Sequence, residues 1–175
     1  MMTRSSKLVL FFIIAAIVIT FGMKVAGVRA LNDKEFVQKA ASGDKMEITL
    51  GEMAVRQASS PEVRNFGQRL VTDHNLASDQ LIAIADKNNI SVPQDMDRMD
   101  NSMVKHLSVL QGQDFDRAYM KHMVEGHKND IEMFQRQARE GKNPDLKNYA
   151  RQTLPTLQEH LKLAETISDG LNKQG

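Results

Sequence analysis

Arg69-Leu-Val-Thr-Asp-His-Asn-Leu-Ala-Ser-Asp-Gln-Leu81 lies at the middle of a long amphipathic pattern. Apolar or small residues recur through and around it at spacings of three and four: Val63, Phe66 with Gly67, Leu70, Ala77, Leu81 and Ala85. That period belongs to an α-helix; a strand would alternate at every second residue. His74 falls on the same stripe, so a helix here buries an imidazole. A single histidine on an apolar stripe reads first as a hydrogen-bonded core residue. What changes the reading is the rest of the chain, where three more long helical patterns each put one ligand-type residue on the buried stripe.

Upstream, Phe36, Ala40, Gly43, Glu47, Leu50 with Gly51, Ala54 and Ala58 predict a first helix over about Asp33 to Ser59, capped by Asn32 or Asp33. Gly43 costs about 1 kcal/mol of helix propensity relative to Ala, so a bend is expected there. The small residues on this stripe let a partner helix come close. Ser60 and Pro61 then start the helix that carries His74, as N-cap and first helical residue. That second helix ends near Asn88 and Asn89, and Ile90 to Asp95 reads as a loop around Pro93.

Downstream, a shorter helix over about Asp97 to Leu110 carries Met99, Met103, Leu107 and Leu110 on one face, with Gly112 closing it. A third long helix runs from about Asp114 to Glu140, with the stripe Phe115, Tyr119, Met123, His127, Ile131, Phe134 and Ala138. Gly141 stops it. Asn143-Pro144-Asp145 opens a fourth, with Leu146, Tyr149, Thr153, Leu157, His160 and Leu161, Ala164, Ile167 and Leu171 facing inward. Pro155 inside this helix is expected to kink it and free the carbonyl of Arg151.

Four helices of roughly 27 residues, each about 40 Å long, make a four-helix bundle. The first two, and the last two, are joined by tight turns and so form antiparallel hairpins. The connection between the hairpins is long and holds its own short helix. The predicted fold is thus all-α: two antiparallel hairpins, with an extra helix in the connection. Composition agrees, since helix formers dominate and Trp is absent.

The 175 residues contain no cysteine, which excludes disulfides, thiolate metal sites and cysteine nucleophiles. Arg4 and Lys7 precede an uncharged apolar run from Leu8 to Met23, and Val28-Arg29-Ala30 offers small residues where a signal peptidase reads. Residues 1–30 are therefore read as a cleaved signal peptide, or as an uncleaved anchor, before a bundle domain over residues 31–175. Either reading puts the domain in the periplasm or cell envelope, touching membrane only through an uncleaved N-terminus. Residues 1–30 hold four bases and no acid, so the remainder carries a net charge of −3 against +1 for the whole chain. Mixed charges along the helices argue against a nucleic-acid partner.

Glu47 stands about 13 residues before the first turn and His74 about 14 after it; His127 stands about 16 before the second and His160 about 17 after it. At about 1.5 Å per residue the members of each hairpin are nearly level. Glu47, His74, His127 and His160 thus face inward from four helices near half height. Metal sites in bundle cores are built this way, and one carboxylate with imidazoles suits one transition-metal ion such as zinc, copper or iron. Asp73 and Asp130 flank the inward histidines as acceptors for ring N–H groups, although Arg69 is an equal claimant for Asp73. His122 falls about 140° round its helix from His127 and is read as lying off the site. His106 is read as surface.

Other chemistries lack their motifs. Di-iron carboxylate bundles need Glu three residues before a ligand His, where His74, His127 and His160 are preceded by Val71, Val124 and Leu157. HExxH, phosphate loops and nucleophile elbows are also absent. No catalytic residue is assigned, and an enzymatic role is left open but disfavoured. Met96, Met99 and Met103 have the chemistry of soft Cu(I) ligands, but amphipathic packing of the short helix is the preferred reading.

Several segments together resemble a known family: Phe36-x3-Ala40, Met46-Glu47-Ile48-x-Leu50-Gly51, Ser59-x2-Glu62-Val63-x2-Phe66, Asp73-His74, Phe115-Asp116-x2-Tyr119, His127 and Leu154-Pro155-x4-His160-Leu161. The chain resembles the exported bacterial domain-of-unknown-function 4142 proteins over about residues 33–170. The resemblance implies a ferritin-like bundle behind a signal peptide and no established activity. Two readings of the polar residues stay open. One is metal binding or metal-dependent envelope stress protection. The other is a non-catalytic structural or interaction module whose Glu/His layer only sets helix register.

Overall fold

The computed structural model describes residues 32–173, so the expected signal peptide and its cleavage point lie outside the described residues. The described residues form five helices and no strand: α1 (Asp33–Gln57), α2 (Pro61–Lys87), α3 (Arg98–Ser108), α4 (Gly112–Glu140) and α5 (Pro144–Lys173). None of these helices is long and apolar enough to cross a membrane.

The helix starts follow local chemistry. Asn32 accepts from the Glu35 backbone N–H, and Glu35 reaches back to the Asn32 N–H, a reciprocal capping box. Ser60 caps α2 ahead of Pro61, and Asp97 accepts from the N–H groups of Met99 and Asp100 at the start of α3. Asn143 Oδ1 accepts from the N–H groups of Asp145 and Leu146 at the start of α5. One boundary differs from expectation. Gly112 does not close the short helix; it is the first residue of α4, at φ +58°, a left-handed conformation that glycine adopts without a Cβ penalty.

Polar ties at the two ends establish helix direction. Ser59 and Ser60, in the α1–α2 turn, donate backbone N–H groups to Asp116 at the start of α4. At the other end Asp33 accepts from the backbone of Lys142 and Asn143, in the α4–α5 turn. There Lys87 pairs with Asp145 across 2.9 Å. Residues 88–111 must therefore travel the full length of the bundle. In the resulting ring α1 packs on α2, α2 on α5, α5 on α4 and α4 on α1, and every neighbouring pair is antiparallel. α3 lies over the α1–α4 seam. The crossover is pinned to α1 by Ser42, which accepts from the Asp97 N–H, and by Lys45, whose Nζ donates to the carbonyls of Pro93 and Gln94.

The close approach expected from the small residues of α1 occurs at Gly51. A Cβ there would lie 2.7 Å from the Gly67 carbonyl oxygen, and a Cβ at Gly67 would lie 2.7 Å from both Gly51 O and Ala54 Cβ. At Gly43 nothing stands within 4 Å of an added Cβ, so that position borders open space instead. α5 is assigned as continuous helix through Pro155. Both Pro155 and Arg151 are exposed, so the carbonyl that proline leaves without its N–H partner is on the solvent side, where water can satisfy it.

The apolar interior is divided in two. One cluster gathers Leu50, Ala54, Phe66, Leu70, Tyr119 and Met123 toward the α1–α2 turn. The other gathers Phe36, Leu81, Phe134, Leu146, Tyr149 and Leu157 toward the α4–α5 turn. Each fully buried large side chain in them contributes about 1.5–3 kcal/mol. The gap between the clusters is where the polar residues lie.

Candidate metal centre

In the gap, α1 supplies Asp44 and Glu47, α2 supplies Asp73 and His74, α4 supplies His127 and Asp130, and α5 supplies His160. Helical phase turns His74, His127, His160 and Glu47 inward; they are 6 %, 0 %, 0 % and 1 % exposed. One nitrogen from each of His74, His127 and His160 lies within 4.8 Å of the others. The three rings stand 5.4 to 6.1 Å apart between centroids. Phe66 closes one side, 6.3 Å from His160 and 6.5 Å from His127.

Each imidazole is held by its other nitrogen. His74 Nδ1–H donates to Asp44 Oδ1 at 2.8 Å. His127 Nδ1–H donates to the Met123 carbonyl at 2.9 Å. His160 Nε2–H donates to Asp73 Oδ2 at 2.8 Å. A neutral imidazole carries one proton, so these bonds leave the lone pairs on His74 Nε2, His127 Nε2 and His160 Nδ1. His127 Nε2 and His160 Nδ1 approach to 3.4 Å, with no proton for the contact in that state. His74 Nε2 is buried with no partner. This is the outer arrangement that orients metal-bound histidines. Two nitrogens bound to one tetrahedral ion at about 2.0–2.1 Å would be about 3.4 Å apart. The residues fit a transition-metal ion held by three imidazoles, which would supply Lewis acidity and leave a coordination position open.

Glu47 stands differently from the expected fourth member. It is not in the three-nitrogen group; its Oε1 lies 3.9 Å from His127 Nδ1, on the side of that ring away from the free lone pair. Both its oxygens are buried without a hydrogen bond. Asp73 does serve as an acceptor, but for His160 on another helix, while Arg69 donates to it from one turn away at 3.3 Å. Asp130 makes no hydrogen bond to a histidine. It shares with Asp44, Glu47 and His74 the lining of a void of about 20 Å³. Asp44, which orients His74, was not among the residues singled out from the sequence. It precedes Glu47 by three residues, a spacing that puts both on one helix face, and that was the available signal. His122 is half-buried and lies outside the three-nitrogen group; His106 is exposed.

Charge is unevenly distributed across the layer. Burial opposes a charge on His74, yet the hydrogen bond to Asp44 and the charges of Glu47, Asp44 and Asp130 outweigh it and lift its pKa to about 9. The metal-free protein at neutral pH thus keeps a proton on His74, one that a metal ion would displace. Burial, reinforced by the His74 charge, pushes His127 down to about 4. Burial also pushes His160 down to about 4, against the pull of Asp73. Both are neutral and ready to donate lone pairs at neutral pH. Burial raises Glu47 and Asp44, and together with the Glu47 charge it pushes Asp130 up to about 7. Asp73 goes the other way: burial would raise it, but hydrogen bonds from His160 and Arg69 hold it below the ordinary carboxylate range.

Comparison with known proteins adds the following. A family model described as Domain of unknown function (DUF4142) matches residues 23–167. No curated protein matches the chain. Among solved structures, a DUF305 fragment from Deinococcus radiodurans is similar with a TM-score of 0.67 and 16% identity, covering 80% of this chain and 95% of that one. CopM in its Cu(II)-bound form is similar with a TM-score of 0.68 and 16% identity, covering 80% of this chain and 97% of that one. At such identity the likeness establishes the helical fold.

Proposed function

The chain belongs to the family described as Domain of unknown function (DUF4142), and from that premise we propose that it is an exported protein holding one transition-metal ion in the bundle core. The observation that carries this reading is the convergence of three imidazoles, one nitrogen of each within 4.8 Å of the others, with every ring fixed by a hydrogen bond from a ring nitrogen. His74, His127 and His160 are the ligands; Asp44 and Asp73 orient them. Glu47 and Asp130 supply negative charge beside the site. Imidazole suits copper, zinc or iron, and copper(II) binds such donors most tightly among the common divalent ions. A neighbour of the same fold is known in a Cu(II)-bound form, which supports trying copper first. The role is metal binding in the envelope, with protection against metal or oxidative stress as its physiological sense.

Export is supported by the apolar run before Val28-Arg29-Ala30. An intact mass beginning at Leu31 is expected; a full-length, membrane-bound form would instead establish an anchor. We place the fold in the ferritin-like superfamily on the same reading, because two antiparallel hairpins joined by one long crossover match that plan. The register-only alternative gains support from the three hydrogen bonds that satisfy one nitrogen of each ring. It leaves the unpartnered His74 Nε2 and Glu47 oxygens without a reason.

The test is titration of chelator-stripped protein with Cu(II) and with Zn(II). One tightly bound equivalent is expected, lost in His127→Ala and in His160→Ala. Unchanged stoichiometry and affinity in those variants would overturn the assignment.

A further inference from the structure

The imidazole cluster leaves part of the polar layer unexplained. Asp44 is 6 % exposed and Glu47 1 %. Asp44 Oδ2 and both Glu47 oxygens have no hydrogen-bond partner. Asp130, from the facing helix, lines the same void of about 20 Å³. Among the described residues no lysine or arginine forms an ion pair with any of the three. Nearby cations are engaged elsewhere: Lys45 donates to two backbone carbonyls and Lys128 pairs with Glu165. The protonated His74 is the one counter-charge that faces this group, and buried carboxylate oxygens without hydrogen-bond partners are costly for a fold to carry.

We propose that this void is a second cation site, in which Asp44 Oδ2, Glu47 and Asp130 hold a divalent cation of the oxygen-preferring class beside the three-imidazole cluster. The void has room for about one water-sized occupant, so a single ion fills it. The donors are carboxylate oxygens only, because His74 Nδ1 is spent on Asp44 Oδ1 and one nitrogen of this ring is already counted in the imidazole group. Carboxylate and water ligands suit manganese, magnesium and calcium rather than copper. Gly43, on the lining of the void, leaves clearance beside it: an added Cβ there meets nothing within 4 Å. Glu47 thereby changes from an ill-placed fourth ligand of the first site into the central ligand of the second.

The inference uses side chains other than the imidazole ligands, so its test separates the two. Mn(II) alone is titrated into the chelator-stripped full chain, and free Mn(II) is read by electron paramagnetic resonance. One bound equivalent is expected in the wild type and in folded His127→Ala/His160→Ala, with affinities within about threefold of each other. Asp130→Asn and Glu47→Gln should each weaken Mn(II) binding at least about tenfold, a larger loss than either causes in Cu(II) binding. Should Glu47→Gln fail to fold by circular dichroism, Asp130→Asn, on a half-buried position, carries the test alone. The proposal is overturned if the wild type binds no Mn(II), if Asp130→Asn binds it as tightly as the wild type, or if the folded double-histidine variant loses it. Failure of Cu(II) binding with Mn(II) binding intact would overturn only the imidazole assignment.

Discussion

The two apolar clusters and the polar layer between them are built from the same four long helices, yet they respond to opposite rules. In the clusters the large side chains pack against apolar neighbours, and Tyr149 turns its hydroxyl out to the Ala77 carbonyl at 3.2 Å, with the buried Tyr119 hydroxyl as the unpartnered exception. In the layer, buried charge stands with too few partners, and three imidazoles press toward one point. Packing in the clusters holds the layer together. The layer itself is a place where the chain gives up packing stability to bury polar groups.

That contrast can be broken most severely in the clusters. Leu70→Ala removes a fully buried side chain and is expected to cost about 2–5 kcal/mol. Gly67→Ala drives a Cβ into the α1 backbone and should cost about 1–3 kcal/mol by overpacking. Urea unfolding of metal-free protein measures both. A change below about 0.5 kcal/mol at either position would mean the helices are less tightly packed than described.

In the layer the sign should reverse. Glu47→Leu removes a buried carboxylate whose oxygens have no partner, so metal-free protein should gain about 1–3 kcal/mol in the same unfolding assay. Destabilisation of that size would show that Glu47 has partners the contrast denies it.

Asp130 sharpens the comparison through pH. Its pKa is raised to about 7 from 3.8, so the folded protein holds a proton there that the unfolded chain has released. The stability it confers is present below about pH 3.8 and lost as pH rises through 7. Asp130→Asn has no such loss. The difference in melting temperature, variant minus wild type in chelator, should grow from pH 4 to 7 and then level off. A flat difference across that window would remove the charge crowding from the account.

The smallest expected effect is at the layer's edge. Gly43→Ala meets no atom within 4 Å and should gain up to about 1 kcal/mol of helix propensity. A loss instead would mean that the space beside Gly43 cannot accept a methyl group.

Much of the fold was legible because its signals are local. Asn32, Ser60 with Pro61, and Asn143 with Pro144 mark starts through hydrogen bonds and dihedrals made within a few residues. The inward phase of His74, His127 and His160, and their common level, also follow from helical geometry. The crossover was not legible in its path, because what pins it is tertiary: Ser42 to Asp97 and Lys45 to Pro93 are contacts between distant segments. Gly112 was misassigned because a left-handed glycine can end one helix or begin another. Glu47 shows a further limit. Phase says which way a Cβ points, but two more torsions decide where a carboxylate goes, and this one turned away from the lone pairs. Asp44 is not legible from its own stripe, because what selects it is tertiary: His74 takes its acceptor from the helix beside it.

The most direct measurement is X-ray absorption on the Cu(II)-loaded full chain, counting imidazoles from their outer-shell scattering. The account predicts three, matching His74, His127 and His160, and no bound copper to count in His160→Ala. A copper ion with no imidazole scattering, or with a count unchanged by His160→Ala, would contradict it.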